Sequence, residues 1–351
     1  MIHSPWDSMK QPRVLISVLN WNNASATADC VASLAQMDRD GLQVDILVID
    51  NGSEQADYLA LCEAVKEGEA RILRLEKNLG FTGGQNTSLK IAIDEDYAYA
   101  WMLNNDATVE ADTLIKLVRA MTQDPRCGAV SPVIVPTDGG NFFNAWGLKH
   151  DWHARDGIWL ESATAARRQQ EEHPNNFCVA GTAVLLRVQA LREVGLLDDR
   201  LFAYFDDNDI GVRLSVGGWR SKVVFDTTAT HDLAVRQERP LYFFYLMFRN
   251  EMIFWQKNMP SAHRRLIGLK LLDHSLFDVN RLRVRAMTRQ ADTALLGVAD
   301  FLAGRYGAPV IQGRRAPLWL RMLCKAHGFW YREKLRIRGA ADVAEADRIV
   351  T

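Results

Sequence analysis

The first 130 residues alternate short apolar runs with segments of helical spacing, and few architectures accept that rhythm. Val14–Leu19, Val44–Ile49, Arg71–Leu75, Tyr97–Leu103 and Ala129–Val135 read as strands. Between them, Ala24–Met37, a segment running through Val65, Asn86–Ile93 and Leu114–Met121 read as helices. Repeated strand–helix units predict a mostly parallel sheet with helices on both faces. In such sheets ligands bind beyond the carboxyl ends of the strands. The polar groups of this region fall there: Asn20 and Asn22 after the first strand, Asp50-Asn51-Gly52-Ser53 after the second, Asn78 to Gly84 after the third, and Asn104-Asn105-Asp106 after the fourth.

Those positions suggest a nucleotide site. Asp50 is placed to accept hydrogen bonds from a base or ribose. The flexible turn at Asn78–Gly84, with Gly80 and Gly83, would bring backbone N–H groups close to a diphosphate. Each piece has a plain alternative, a turn at Asp50 and a helix entry at Gly83-Gly84, and it is their joint placement on one sheet edge that favours function. GxxxxGK[ST] is absent, which disfavours a P-loop ATPase, and no GxGxxG follows the first strand. Asp106 is the natural ligand for Mg²⁺ or Mn²⁺, and Mn²⁺ also accepts an imidazole such as His231. A rival set, His150, His153 and His173, shows no helical i,i+4 spacing.

Phe202 to His231 adds the chemistry. Asp206, Asp207 and Asp209 lie within four positions behind an aromatic run. Carboxylates so close cannot ionise independently, which suits a general base, a cation site or both. The alternative is a helix start with acidic residues in its first turn. A pair of carboxylates would also suit a glycoside hydrolase, but that chemistry does not require nucleotide-like strand ends.

Composition sets the remaining bounds. At 351 residues and 48% hydrophobic, the chain has a sizeable core and room for two domains. Its charge is uneven: 19 Lys and Arg face 9 Asp and Glu after Pro240, while 23 face 34 before it. A basic, aromatic-rich tail suggests contact with phosphate, and without a nucleic-acid motif an anionic membrane surface is the better partner. Five scattered cysteines without a CxxC pair suggest a reducing compartment. No signal-peptide core and no membrane-spanning run is apparent, so the expected location is cytoplasmic, peripheral on the inner face of the membrane. Asp138–Phe177 breaks the rhythm and carries Trp146, Trp152 and Trp159. It reads equally as an acceptor loop or as a β-rich insertion burying its own tryptophans. After Pro240 four helices are expected: Leu241–Asn258, Leu266–Asn280, Ala291–Ala303 and Leu318–Arg336. They suit a membrane surface, ordinary packing or a homo-oligomer interface.

In order along the chain, Val18-Leu-Asn-Trp-Asn22, Asp50-Asn-Gly-Ser53, Asn78–Asn86, Leu103-Asn-Asn-Asp-Ala107, Ala180–Arg187, Val194-Gly-Leu-Leu-Asp198 and Phe205–Arg213 resemble the inverting family 2 glycosyltransferases. The rhamnosyl- and galactofuranosyltransferase-like branch is the most similar. The resemblance implies an α/β GT-A fold over residues 1–239, with 138–177 as an insertion, and a basic helical region over 240–351. It implies transfer of a sugar from a UDP- or dTDP-sugar donor to a glycan or lipid-linked acceptor in cell-surface polysaccharide synthesis. Asp50 would bind the pyrimidine, with Asn20, Asn22, Asn78, Gly80, Gly83 and Asn105 around the nucleotide. Asp106 would close the metal-binding motif with His231, for Mn²⁺ or Mg²⁺; Asn104 stands where the family has that motif's first carboxylate. Asp207, paired with Asp206, would be the base. Acceptor candidates are Trp146, Gly181, Thr182 and Asp209. A nucleotidyltransferase or a non-catalytic nucleotide-sugar-binding protein is the alternative, and the former would want a glycine-rich, lysine-bearing turn after the first strand.

Overall fold

The computed structural model describes residues 11–66, 68–137, 147–151, 156–231, 239–259 and 264–338. The chain forms two compact units, Met1–Arg236 and Gln237–Thr351.

The first unit opens with alternating elements. These are β1 (Arg13–Asn20), α1 (Ala24–Ala35), β2 (Gln43–Asp50), α2 (Gln55–Ala64), β3 (Arg71–Arg74), α3 (Gly80–Asp94) and β4 (Tyr99–Asn104). Then come β5 (Ala107–Val109), α4 (Thr113–Gln123), β6 (Cys127–Pro136), β7 (Leu148–Asp151), β8 (Asp156–Trp159), α5 (Ala163–Glu172) and β9 (Phe177–Cys178). The unit closes with β10 (Ala183–Arg187), α6 (Val188–Val194), α7 (Asp206–Val216) and β11 (Arg220–His231). Eight strands make one sheet in the order β3-β2-β1-β4-β10-β6-β11-β5. β1 runs parallel to β2 and β4, β2 to β3, and β6 to β11, whereas β10 runs antiparallel to both its neighbours and β5 antiparallel to β11. The sheet is therefore mostly parallel with helices on both faces, as expected.

The period-two alternation of the strands builds two cores. Val14, Ile16 and Val18 of β1 and Trp101 and Leu103 of β4 pack with Val31 and Leu34 of α1, Leu61 of α2 and Leu114, Leu117 and Val118 of α4. Leu15, Ala100 and Met102 face the other way, toward Leu89 of α3, Leu191 of α6 and Ile210 and Leu214 of α7.

One local expectation needs correction. Gly80–Gly84 is not a turn before a helix: α3 begins at Gly80, and the glycines form its first turn. A Cβ on Gly84 would lie 2.4 Å from the Leu19 side chain, so glycine here lets α3 close onto β1. The stretch 138–177, read as an acceptor loop or a β-rich insertion, contributes to the antiparallel sheet β8-β7-β9 and contains the polar helix α5. Trp146 and Trp152 lie outside the described residues.

The second unit is helical: α8 (Leu241–Asn258), α9 (Arg264–Val284), α10 (Thr288–Leu302) and α11 (Leu318–Arg338). Gly297 of α10 meets the backbone of Tyr245, where a Cβ would lie 2.3 Å from the carbonyl oxygen, so α8 and α10 cross closely. Asp300, 1% exposed, anchors the packing. It accepts from the Tyr245 hydroxyl at 2.6 Å, from Arg314 at 2.7 Å and from Arg305 at 3.1 Å. Burial raises its pKa, but these donors outweigh it and hold the carboxyl below the usual range. Asp300→Ala would leave Arg314 and the Tyr245 hydroxyl without their shared acceptor. It is expected to cost about 3–5 kcal/mol in urea or thermal unfolding of this unit. No helix among the described residues is long and apolar enough to cross a membrane.

Candidate active site

The carboxyl ends of β1 and β2 are knitted together by side chains. Asn20, wholly buried, donates through Nδ2 to Asp50 Oδ1 at 3.0 Å and to Asp57 Oδ2 at 3.0 Å, and accepts from Thr27 Oγ1 at 2.8 Å. Asn22, left-handed at φ 51°, accepts the Glu54 N–H at 2.8 Å. Asn105 donates to the other side of Thr27 Oγ1 at 2.9 Å. Asp50 is 0% exposed, and its Oδ2 lies 3.3 Å from Arg74 Nε, whose guanidinium also covers the Tyr58 ring at 4.1 Å. This modifies the expectation for Asp50. The residue sits at the strand end as expected, but wholly buried, with Oδ1 held by Asn20 and Oδ2 beside Arg74 without a hydrogen-bond partner. Asp57 and Arg74, which organise this edge, were missed in the sequence. Asp57 gives a faint signal as an acid in the first turn of a helix following Asp50-Asn-Gly-Ser53.

The next strand end is organised by α3. Asn51 donates to Asn78 Oδ1 at 3.1 Å and to the Gly80 carbonyl at 3.0 Å, and accepts the Leu79 N–H at 2.9 Å. Gly80 N–H donates to Asn78 Oδ1 at 2.7 Å and Thr82 N–H to the Phe202 carbonyl at 3.1 Å. These three amides are thus committed to protein oxygens rather than open to a diphosphate. Gly83 packs on Leu79, where a Cβ would lie 2.7 Å from the Leu79 Cβ. Asn86, also in α3, holds Leu197 through both its amide atoms, at 2.9 and 3.0 Å.

What α3 holds is the segment leading to the acidic cluster. Phe202, Tyr204 and Phe205 adopt φ of 66°, 67° and 65°. Bulky side chains in that region cost about 1–3 kcal/mol each, and such strain gathers where surrounding structure enforces it. Gly80, at φ 76°, accepts the close approach of Phe202, since a Cβ there would lie 2.3 Å from the Phe202 carbonyl oxygen. Gly80→Ala is therefore expected to destabilise the unit by roughly 2–4 kcal/mol, from the left-handed backbone and the clash together. Thermal melting checks this, and donor affinity and turnover should fall with it because one glycine supports both segments.

The acidic cluster opens α7, and its members separate by environment. Asp209 is 1% exposed and paired with Arg213 Nε at 2.8 Å, while Arg213 also donates to the carbonyls of Val194, Gly195 and Leu196. Asp209 is thus buried and held within α7 by Arg213 rather than presented at the surface. Asp206 is buried, and burial first and the neighbouring Asp207 second push its carboxyl up to about 8. Asp207 is also raised by burial, but it accepts from Gly181 N–H at 3.3 Å and from the N–H and side-chain amide of Asn208 at 2.8 Å. Donors favour the ionised form. Burial thus raises both carboxyls, and the donors around Asp207 oppose the rise there.

The sign of the Asp206 shift gives a testable pH dependence. A carboxyl raised in the folded state favours folding while protonated, so its contribution declines as pH rises from the ordinary carboxylate range toward about 8. Asp206→Asn should remove that decline. The variant is expected to gain on wild type in Tm as the buffer moves from pH 5 to 8, by roughly 2–4 °C for each kcal/mol relieved.

Strand order brings the remaining candidates together. β4 ends in Asn104, and β10 beside it begins just after Gly181-Thr182. Asn104 N–H donates to the Thr182 carbonyl at 2.8 Å, and an added Cβ on Gly181 would lie 3.3 Å from the Asp207 Cβ. Gly181 and Thr182 therefore join the Asp106 turn to Asp207 through their backbone. His231, at the end of β11, places Nε2 3.0 Å from Asp106 Oδ1 and 3.3 Å from Asn104 Nδ2. Apart from that contact, Asp106 Oδ1 is buried with no hydrogen-bond partner, while the side chain as a whole is one-third exposed. A carboxylate, an imidazole and an adjacent amide oxygen suit a hard divalent cation that completes its shell with diphosphate and water. Among the described residues no cluster of three or more His, Cys, Asp or Glu offers a self-sufficient metal site. His153 and Trp146 lie outside the described residues.

Known proteins resemble this chain in sequence and in fold. The chain is 29% identical over 208 residues to N-acetylglucosaminyl-diphospho-decaprenol L-rhamnosyltransferase of Mycobacterium tuberculosis, covering 54% of this chain and 67% of that protein. The mannosyltransferase PcManGT from Pyrobaculum calidifontis, solved with GDP-Man and Mn²⁺, superposes with a TM-score of 0.52 at 16% identity over 93% of this chain and 88% of its own. S. aureus TarS 1-349 in complex with UDP-GlcNAc superposes with a TM-score of 0.55 at 13% identity, over 90% and 88%. These likenesses show the expected GT-A fold. The family model described as glycosyl transferase family 2 matches residues 14–195, more than half of the chain, and the protein belongs to that family.

Proposed function

We propose that this glycosyltransferase inverts the anomeric centre and depends on a divalent cation. It moves a sugar from a UDP- or dTDP-linked donor, with rhamnose the favoured sugar, to a hydroxyl of a glycan or lipid-linked acceptor during cell-surface polysaccharide assembly. The observation carrying this reading is the junction of β4 and β10, which sets the Asp106–His231 pair and the Asp207 base at one end of the sheet. The donor sugar and the lipid-linked acceptor are suggested by the mycobacterial relative, whose name specifies both rhamnose and a diphospho-decaprenol.

The residues divide the reaction between them. Asp207 takes the proton from the acceptor hydroxyl as its oxygen attacks the anomeric carbon. Asp206, protonated and buried behind it, keeps the second negative charge out of the site. Asp106 and His231, with Asn104 beside them, would hold Mn²⁺ or Mg²⁺. Such a cation, when bound, neutralises charge on the departing nucleoside diphosphate. The buried network of Asn20, Asp50, Asn51 and Asn78 keeps the nucleotide edge in shape, so that donor and acceptor meet already oriented. Membership of glycosyl transferase family 2 supports a single displacement with inversion.

The test is a donor panel of UDP-, dTDP- and GDP-sugars, screened by thermal shift with Mn²⁺ or Mg²⁺ and then by transfer to a lipid-diphosphate-linked sugar. Proton NMR of the product should show the anomeric configuration opposite to that of the donor. A product of retained configuration would overturn the single-displacement reading.

A further inference from the structure

The second unit contains a cavity of about 370 Å³ between α9, α10, α11 and the residues preceding α11. That size lies within the range of small-ligand clefts, about 300–1,000 Å³. Five cations line it: Arg283, Arg314, Arg315, Arg321 and Lys325; Asp292 is the one acid in its wall. Two of the five are satisfied, Arg283 by Asp292 at 3.1 Å and Arg314 by Asp300. Arg315, Arg321 and Lys325 have no acidic partner among the described residues, and Arg321 Nε is buried without a hydrogen-bond partner. Three cations without acidic partners around one concavity repel one another, and an anion that joins them relieves that repulsion. Their arrangement suits the oxygens of a phosphate group, which Arg engages in a planar fork and Lys as a point charge.

The surface beside the cavity indicates where that phosphate comes from. α11 is apolar on two sides. Leu320 and Cys324 are wholly buried against the unit, whereas Trp319, Met322, Leu323 and Trp330 are 57%, 58%, 42% and 70% exposed. Positions 319, 322, 323 and 330 follow helical spacing and form one stripe on the described part of the helix. Leu318 and Met322 also line the cavity, so stripe and cationic pocket are continuous. A free phosphate needs no apolar surface, while a lipid-borne phosphate brings its own apolar neighbours. We propose that this cavity holds the phosphate headgroup of a membrane lipid while the exposed face of α11 lies in the interface. The site is separate from the transfer chemistry and does not depend on that reading.

The full-length chain should co-sediment with vesicles of phosphatidylcholine and phosphatidic acid far better than with phosphatidylcholine alone. The triple variant Arg315→Gln, Arg321→Gln, Lys325→Gln should weaken that binding roughly a hundredfold, at about fivefold per cationic residue. Neutralising three exposed cations outside the cavity, Lys270, Arg285 and Arg289, should cost much less; an equal loss would mean diffuse attraction by the tail and overturn the site. Trp319→Ser with Trp330→Ser should reduce vesicle binding while leaving thermal protection by inorganic pyrophosphate unchanged. Pyrophosphate protection that the triple variant loses, without preference for anionic vesicles, would identify a free-phosphate site and overturn the lipid assignment, as would displacement of the vesicles by a single-stranded oligonucleotide. Circular dichroism monitors folding of the triple variant. If it is unfolded, Arg315→Gln alone, at an exposed position, should still cost about fivefold, and no loss there would overturn the proposal.

Discussion

Asp207→Asn is expected to lower the rate of sugar transfer by about 10²–10⁴-fold while leaving donor affinity within a factor of about two. Proton removal contributes in the transition state and hardly at all in the ground state, so the loss should appear in kcat. The substitution is nearly isosteric, and the Gly181 and Asn208 donors that surround the carboxylate keep at least one oxygen to meet. Folding should therefore survive, which isothermal titration with donor and a thermal melt would show. Asp209→Asn offers the contrast. It weakens the Arg213 pair that ties α7 to the carbonyls of residues 194–196, so its effect should fall first on stability. Near-wild-type turnover in the Asp207 variant would move the base elsewhere in the cluster.

Much of this site was legible because strand ends and period-two cores leave a strong mark on a sequence. Five of the sheet's strands and the placement of Asn20, Asp50 and Asp106 at their ends follow from apolar runs closed by polar residues. The pairing of Asp106 with His231, 125 positions apart, was legible only through the resemblance, since no spacing rule links a turn to the end of a distant strand. β5 and β10 were not legible. β5 has three residues, too few for a period, and β10 runs antiparallel inside a sheet whose other signals imply parallel neighbours. The glycines at Gly80–Gly84 misled for a physical reason. Glycine marks both an open phosphate turn and a close backbone approach, and here Leu19 and Phe202 occupy the space a side chain would take. The strained backbone at Phe202, Tyr204 and Phe205 had no signal at all, because aromatic residues ordinarily avoid that conformation.

Asp106→Ala is expected to weaken donor binding in Mn²⁺ by at least tenfold to a hundredfold, and to make the remaining affinity indifferent to EDTA. Even residues that merely support metal ligands cost 10–100-fold when removed, and Asp106 supplies the one carboxylate of the pair. His231→Ala should act in the same direction but less strongly, since a neutral imidazole gives up less charge than a carboxylate does. Both residues lie at the outer end of the sheet beside Asn104, so the replacement that adds charge is as informative as those that remove it. Asn104→Asp would place a second carboxylate 3.3 Å from His231, at the position now held by the amide. It should tighten Mn²⁺ and partly restore donor binding to the His231 variant, because a hard cation gains more from an anionic oxygen than from a neutral one. Titration of each variant with donor, with and without Mn²⁺, separates these outcomes. Donor affinity in the unmodified protein that does not change on adding EDTA would remove Asp106 and His231 from metal binding together. Their 3.0 Å contact would then stand as a hydrogen bond closing β11 onto the turn after β4.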